Sequence, residues 1–378
     1  MMRFLISGGA LLKVISLAAI FCACSGPEAK VFKEIDFEPS NLLDSSKFEV
    51  RVLKLEAHKE GMIHSIAQVE IWQDYIFVLD NLQSRKLLVF NMDGEFVCQV
   101  GVTGRGPGEY VHPWSFSFDE QSNCLAVLDR AQDKVVFYEL SSFGYVKELQ
   151  LPFSATKFLF LEDGKIAWFG SQTDSYIIIT DGDGVVVREH LPRIYNPGVI
   201  KGSGINNMFY ADGEVLFHTP FSSDLFSVVS DSTYCKYGVN LGKNQIVSEA
   251  ELKGLSETNR DYLALVTAGR KAHSISYYNT DSQIYCSFVV DGALCIGIYD
   301  KETDEAYYYL KDHFIDLLAL PIFYNPVGTY DEWLVSVINN MDVLDKLESQ
   351  MSFNDQIEFV LRAIDEDSGF HLLLLRCL

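Results

Sequence analysis

The feature that most restricts the fold of this chain is a repeated pair of apolar strands. Each copy consists of a short apolar strand, a tight polar turn and a second apolar strand, as in residues 69–80. The second strands begin near residues 75, 124, 165, 214, 283 and 332. These starts are about 40 to 50 residues apart, except for one longer step, and such a period is typical of a four-stranded β-propeller blade. The sequence therefore predicts an all-β, six-bladed β-propeller.

The segments between and after the repeats complete this prediction. Two further strands follow in each of the first five units, with pairs such as Asp93-Gly94 at positions where hairpin turns need positive φ. The long step contains residues 248–270, which have few helix breakers and predict a helical insertion. The first strand of the sixth unit is predicted at residues 321–323. Helical spacing then predicts C-terminal helices near residues 341–365.

Two predicted strands belong to no complete unit, one at residues 48–55 and the other at residues 371–378. Pairing both of them in the last blade would close the ring and remove two exposed sheet edges. We therefore predict one propeller domain over residues 48–378, closed by the N-terminal strand. A pair of β-sandwiches is the alternative architecture, and the regular period argues against it.

The first 24 residues have the pattern of an export signal. Positive charge from Arg3 and Lys13 accompanies an apolar stretch over residues 11–21, which is too short for a stable membrane-spanning helix. Ala23-Cys24 resembles a bacterial lipobox, in which the cysteine becomes the lipidated first residue. We therefore predict a lipoprotein signal peptide over residues 1–24, with lipid on Cys24, and a tether and N-terminal segment over residues 25–47. Cleavage near Ala23 by the ordinary signal peptidase is the alternative.

The remaining cysteines lack the close spacing of a zinc ribbon, so we predict mostly buried free thiols. A two-residue hairpin at Asp291-Gly292 would place Phe288 opposite Cys295 and Cys286 opposite Gly297. The two sulfur atoms would then be diagonal neighbours, which is a poor geometry for a disulfide.

Charge and motifs exclude several functions. Acidic residues outnumber basic ones 52 to 30, for a net charge of −22, and this balance argues against a nucleic-acid partner. The strings HExxH and GxSxG and the EF-hand pattern are absent from the sequence, so no catalytic residue and no cofactor is predicted. Six histidines occur about once per blade and could ring the propeller axis, but no supporting pattern favours metal ligation, so no metal is predicted. Asp80 and Asp129 end equivalent strands and are interpreted as caps rather than as an acid–base pair.

The most distinctive string is GRGPGEY at residues 104–110, which follows the last strand of the first unit. Together with the LLVF string at residues 87–90, the MDG string at residues 92–94 and the lipobox, it resembles the six-bladed β-propeller lipoproteins of Bacteroidetes, relatives of NHL-type propellers. The strand at residues 331–338 and the helix-then-strand ending also match, so the resemblance covers nearly all of the mature chain. It implies a cell-envelope lipoprotein anchored in the outer membrane, on the periplasmic or the surface side. It implies no particular activity.

The glycine-rich string also points to a candidate ligand site. Loops that connect neighbouring blades share one mouth of a propeller with the loops between second and third strands. Arg105 offers a planar donor fork, Glu109 offers an acceptor, and Tyr110 and Trp114 offer aromatic faces. The predicted ligand-binding residues are Arg85, Arg105, Glu109, Tyr110, His112, Trp114 and Arg130. Alternatively, the loop locks the first blade to the second, with Arg105 and Glu109 paired internally.

These observations favour a binding or scaffold protein over an enzyme. We predict a monomeric, lipid-anchored, extracytoplasmic propeller that recognises a glycan or a protein at this mouth. The lipid anchor would be its only contact with the membrane. The alternative is a metal-dependent hydrolase or lyase that uses the central funnel.

Overall fold

A computed structural model describes residues 33–59, 61–193, 207–252, 259–269, 271–318, 326–338 and 370–378. Six sheets, each built on four antiparallel strands, follow one another around the ring, and we name them blades I to VI. The first strands of neighbouring blades contact one another, so they surround a central channel. The predicted all-β, six-bladed propeller is confirmed.

The blades have their predicted order and nearly their predicted bounds. The strands of blade I are Gln68–Trp72, Tyr75–Asp80, Lys86–Asn91 and Phe96–Val100; those of blade II are Pro113–Asp119, Cys124–Asp129, Lys134–Glu139 and Tyr145–Gln150; those of blade III are Ala155–Phe160, Ile166–Gly170, Ser175–Thr180 and Val186–Pro192. The strands of blade IV are Met208–Ala211, Glu214–Phe217, Leu225–Val229 and Ser232–Asn240; those of blade V are His273–Asn279, Gln283–Val290, Ala293–Asp300 and Glu305–Leu310. A short parallel pair, Val102–Thr103 with Glu109–Tyr110, lies between blades I and II.

Blade VI combines the two ends of the described chain. Its first three strands are Gly328–Tyr330, Trp333–Ile338 and His371–Cys377, and its outermost strand is the N-terminal β3, Phe48–Lys54. Strand β3 pairs antiparallel with His371–Cys377, so the predicted closure of the ring is confirmed. The first strand lies at Gly328–Tyr330 rather than at the predicted residues 321–323, which are outside the described residues.

The chain before β3 forms two strands that the sequence analysis did not predict. Strand β1, Lys33–Asp36, adds to the outer strand of blade IV, and β2, Glu38–Pro39, adds to the outer strand of blade V. Both pairings are parallel. A 3-10 turn at Ser45–Lys47 then leads into β3. Residues 33–54 therefore run along the outer edges of three consecutive blades.

Three helices lie in the described part of the chain. Helices α1, Glu249–Leu252, and α2, Asn259–Gly269, occupy the predicted insertion between blades IV and V. Helix α3, Lys311–Leu318, follows blade V and was not predicted. The predicted helices near residues 341–365 lie outside the described residues. Among the helices that the structure describes, none has the length and apolar character that spanning a membrane requires.

Each gap between neighbouring blades in the described structure is filled by its own apolar cluster. The cluster between blades VI and I contains Val335, Leu374, Val69 and Leu88, so the last gap is packed like the others. The hairpin register at Asp291-Gly292 places Phe288 opposite Cys295 and Cys286 opposite Gly297, as predicted. The six cysteines that the structure describes are free thiols. Burial raises the pKa of Cys295 to about 11, so its thiol is protonated at neutral pH.

Candidate functional site

Two buried aspartates position the loops at the mouth of blades I and II. Asp129 accepts hydrogen bonds from the backbone N–H groups of Val111 at 2.7 Å and His112 at 3.0 Å. Asp80, at the equivalent position of blade I, accepts from the N–H of His64 at 2.9 Å. Both carboxylates are fully buried and bonded to backbone amides, so their interpretation as caps is confirmed. They hold the interblade loops in place.

A compact polar and aromatic cluster adjoins the Asp129 cap. The Nε2 atom of His112 is 2.9 Å from the carbonyl oxygen of Asn81, and its ring meets Trp114 edge-on at 5.2 Å. The guanidinium of Arg130 lies 4.4 Å from the centroid of the Trp114 ring. Its Nη2 atom is 3.4 Å from the hydroxyl oxygen of Ser171. Loops of blades I, II and III therefore meet at one place.

The charge of this cluster follows from its neighbours. Burial lowers the pKa of His112, the hydrogen bond to Asn81 acts in the opposite direction, and the charges of Arg85 and Arg130 lower the pKa further. A carbonyl oxygen can only accept, so Nε2 carries the proton and Nδ1 is left as an acceptor in the neutral ring. The cluster thus presents two guanidinium groups beside a neutral imidazole.

Buried polar atoms next to the cluster have unused hydrogen-bonding capacity. Asn81 is fully buried, yet neither atom of its side-chain amide has a hydrogen-bond partner among the described residues. The indole N–H of Trp114 is also buried and without a partner there. Such groups are costly to bury unless something satisfies them, and functional sites are a common reason.

The glycine-rich loop, in contrast, joins two blades. The hydroxyl of Tyr110 donates to the carbonyl oxygen of Val100 at 2.7 Å, and the Tyr110 side chain has no exposed surface. Burial raises the pKa of Tyr110 to about 12. From blade II, the Tyr138 hydroxyl donates to the Gly108 carbonyl at 3.0 Å, and Glu148 accepts from the Gly108 N–H at 2.9 Å. The loop backbone is therefore held by side chains of blade II.

The internal pair expected in this loop is not formed. The Glu109 carboxylate accepts from the N–H of Gly106 at 2.7 Å, so it bonds to backbone instead of to Arg105. Arg105 is exposed and makes no ion pair with any described residue. A side chain at Gly104 would collide with the Glu109 carboxylate, which explains the glycine at that position.

The structure divides the seven predicted ligand-binding residues into two groups. His112, Trp114 and Arg130 come together, and Arg85 is close enough for its charge to lower the pKa of His112; we call these four residues the mouth cluster. Arg105, Glu109 and Tyr110 belong to the glycine-rich loop. Sequence reasoning missed Asn81 and Ser171, although each directly follows a second strand, as Arg130 does. Position after the second strand was therefore the signal that could have identified them.

The histidines do not converge on the propeller axis. His190 bonds to the carbonyl oxygen of Asp231 at 2.7 Å, and His313 bonds to that of Asn41 at 2.9 Å. Within the described ranges, no group of three or more His, Cys, Asp or Glu side chains is arranged to hold a metal ion.

Comparison with known proteins identifies the family. The family model DUF5128, described as a 6-bladed β-propeller, matches residues 28–337. The chain belongs to this family. A crystal structure of a Bacteroides fragilis protein described as exported is 25% identical, with a TM-score of 0.84, and the match covers 92% of this chain and 100% of that one. A DUF4221 member from Bacteroides vulgatus shares the fold at 9% identity and a TM-score of 0.56, over 88% and 98% of the two chains. No curated protein matches this DUF5128 chain.

Proposed function

We propose that this protein is a lipid-anchored binding propeller outside the cytoplasm, and that its mouth cluster recognises an anionic group on a glycan or protein partner. The single observation behind this proposal is the stacking of Arg130 on Trp114 beside Arg85 and a neutral His112. A guanidinium held over an aromatic ring is preorganised to form charge-assisted hydrogen bonds with a carboxylate or sulfate.

The setting of the cluster supports the same proposal. The chain carries a net charge of −22, so two arginines whose charges both act on His112 are a local exception that favours an anionic ligand. The unpartnered amide of Asn81 and the indole N–H of Trp114 add hydrogen-bonding groups that a sugar or peptide can use. Propellers commonly serve as platforms for such contacts, and the fold is that of a DUF5128 propeller.

Binding to arrayed glycans tests the recognition site. Wild-type protein should bind sulfated or uronic-acid glycans, or an acidic peptide, more tightly than their neutral counterparts. Arg130→Ala should weaken this binding about tenfold or more, because it removes a charge-assisted contact worth roughly 1.5 to 3 kcal/mol. Arg188→Ala is the matched control, since Arg188 is an exposed arginine on the outer strand of blade III. Equal binding by the two variants would contradict the proposal.

The anchor and the location are a second part of the proposal. Ala23-Cys24 after the apolar segment supports lipidation of Cys24, and the similarity to an exported Bacteroides fragilis protein supports a position outside the cytoplasm. Cys24→Ala should move the protein from the membrane fraction to the soluble fraction. A membrane-bound variant, together with a wild-type protein whose mass shows no lipid on Cys24, would contradict the anchor.

A further inference from the structure

A second polar group lies inside the channel, at equivalent positions on the first strands of three blades. These positions are held by Gln68, Ser115 and Lys157, which pair across to Leu79, Leu128 and Phe169 on the second strands. All three side chains are almost completely buried. Blade IV has Phe209 opposite Leu216 at the matching place. Blade V also has a buried polar residue on its first strand, Ser276 opposite Ser287.

Gln68 uses its hydrogen bonds to fix Glu70. Its side-chain Nε2 donates to the carbonyl of Phe116 and to Glu70 Oε1, both at 3.0 Å, and its Oε1 accepts from the Phe116 N–H at 3.3 Å. Glu70 lies two residues further along the same strand and so faces the same side. The second carboxylate oxygen of Glu70 receives no hydrogen bond from the described residues.

Lys157 differs from the other buried and half-buried lysines. Lys134, Lys236 and Lys301 each have a carboxylate oxygen within 2.9 to 3.2 Å. Lys157 is only 2% exposed, and it makes no hydrogen bond or ion pair with the residues that the structure describes. An ammonium group buried without a partner is expensive, so its retention calls for an explanation.

Glu70 and Lys157 influence each other across the channel. Burial lowers the pKa of Lys157, and the charge of Glu70 acts against that shift. Burial raises the pKa of Glu70, and the charge of Lys157 opposes it. The two groups belong to blades I and III, and they do not approach within the 4.0 Å of an ion pair. The two groups therefore act on each other from different blades without forming an ion pair.

Solvent reaches a side chain close to Glu70. Tyr210, on the first strand of blade IV, is 49% exposed, yet burial raises its pKa and the nearby charge of Glu70 adds to the shift. Water therefore reaches the first strand of blade IV at Tyr210. Its hydroxyl bonds to the backbone N and O of Phe160, both at 2.9 Å, so the wall is well ordered there.

We propose that the channel binds a small zwitterion, such as a free amino acid, with its carboxylate on Lys157 and its ammonium group on Glu70. A singly charged ion would meet one attractive and one repulsive group, whereas a zwitterion satisfies both and offsets their desolvation. The hydroxyl of Ser115 is buried without a partner and adds a hydrogen-bonding group at the equivalent position of blade II. The site does not depend on the mouth cluster.

Isothermal titration calorimetry tests this site with glycine, alanine and serine, each compared with its N-acetyl and its amide derivative. The free amino acids should bind at least tenfold more tightly than either derivative, because each derivative lacks one charge. Lys157→Met and Glu70→Gln should each reduce binding at least tenfold. Glu70→Gln keeps the shape of the side chain, so it remains informative if Lys157→Met fails to fold.

Lys147→Met is the matched control, since Lys147 is an exposed lysine on the outer strand of blade II. It should bind as the wild type does. Absence of binding by the wild type for every free amino acid, or equal affinity in wild type and Glu70→Gln, would overturn the proposal.

Discussion

Two parts of this ring join neighbouring blades in opposite ways. Between blades I and II, residues 101–110 lie between consecutive blades in the chain, and their backbone is held by side chains of blade II. Around blades IV, V and VI, residues 33–54 pair with strands that are far away in sequence. The local link uses a specific string of residues, whereas the remote link uses main-chain pairing that many sequences can make. The local link can therefore be recognised as a motif in the sequence, whereas the remote link leaves little trace in the sequence.

The largest loss of stability is expected from removing the last strand, which tests the remote link. Deletion of residues 370–378 takes away the partner of β3 and reopens two sheet edges in blade VI. We expect the whole ring to unfold in one cooperative step at a much lower Tm, measured by circular dichroism. A truncated protein that melts like the wild type would show that the remote link does not hold the ring closed.

The next largest effect tests the remote link at a single side chain. Phe37 is 2% exposed and packs over Gly297 between blades IV and V. Phe37→Ala should reduce the free energy of unfolding by about 3 kcal/mol, since it removes a buried aromatic ring. Leu42→Ala in the same segment is the control, because Leu42 is 86% exposed and should change stability by less than about 0.5 kcal/mol. Equal effects in urea denaturation would mean that the segment does not pack as described.

A smaller effect tests the local link. Gly108 and Gly213 both have positive φ, but a Cβ at Gly108 would lie 2.9 Å from the Cβ of Tyr145, whereas one at Gly213 would meet nothing within 4 Å. Both alanine variants carry the backbone strain, so the difference between them isolates the packing of the loop on blade II. Gly108→Ala should lose about 1 to 2 kcal/mol more than Gly213→Ala. Equal losses would show that the loop is not tightly held.

The smallest effect concerns acid and the seam between blades IV and V. Burial acts to raise the pKa of Asp212, but the hydrogen bond from Lys301 and the charges of Lys301 and Lys236 outweigh it, so its pKa falls below the usual 3.8. The stabilising contribution of Asp212 is therefore present above pH 3.8 and is lost as the pH falls through the lower pKa of the folded state.

Asp212→Asn should reduce the loss of stability between pH 5 and pH 2 by less than about 1 kcal/mol, because the carboxylate is partly exposed. The measurement is Tm against pH for both proteins. Glu302→Gln is a control from the neighbouring turn, and it should leave the profile unchanged. If Asp212→Asn has the same dependence of Tm on pH as the wild type, the charge of Asp212 does not stabilise this seam.

The glycine-rich loop shows where sequence reasoning reached its limit. Its glycines predicted a tight path, and the structure confirms close contacts at Gly104 and Gly108. The sequence left open whether Tyr110 faces a ligand or the core, because an aromatic residue suits either role. In the structure Tyr110 packs against Tyr138 and Val100, so it belongs to the core.

The architecture could be predicted because it repeats. The alternating apolar strands specify the blade count, and the Asp-Gly turn specifies the hairpin at Asp291-Gly292, because both depend on local pattern. The two unmatched end strands specify the closure of blade VI, because pairing them leaves no sheet edge open. Strands β1 and β2 have only four and two residues, too few for a periodic signal, and their position depends on the outer edges of blades IV and V. Likewise, only the assembled ring brings Arg130 of blade II to Ser171 of blade III and His112 of blade II to Asn81 of blade I. Charge and stacking between distant residues depend on distances in space, which sequence spacing does not contain.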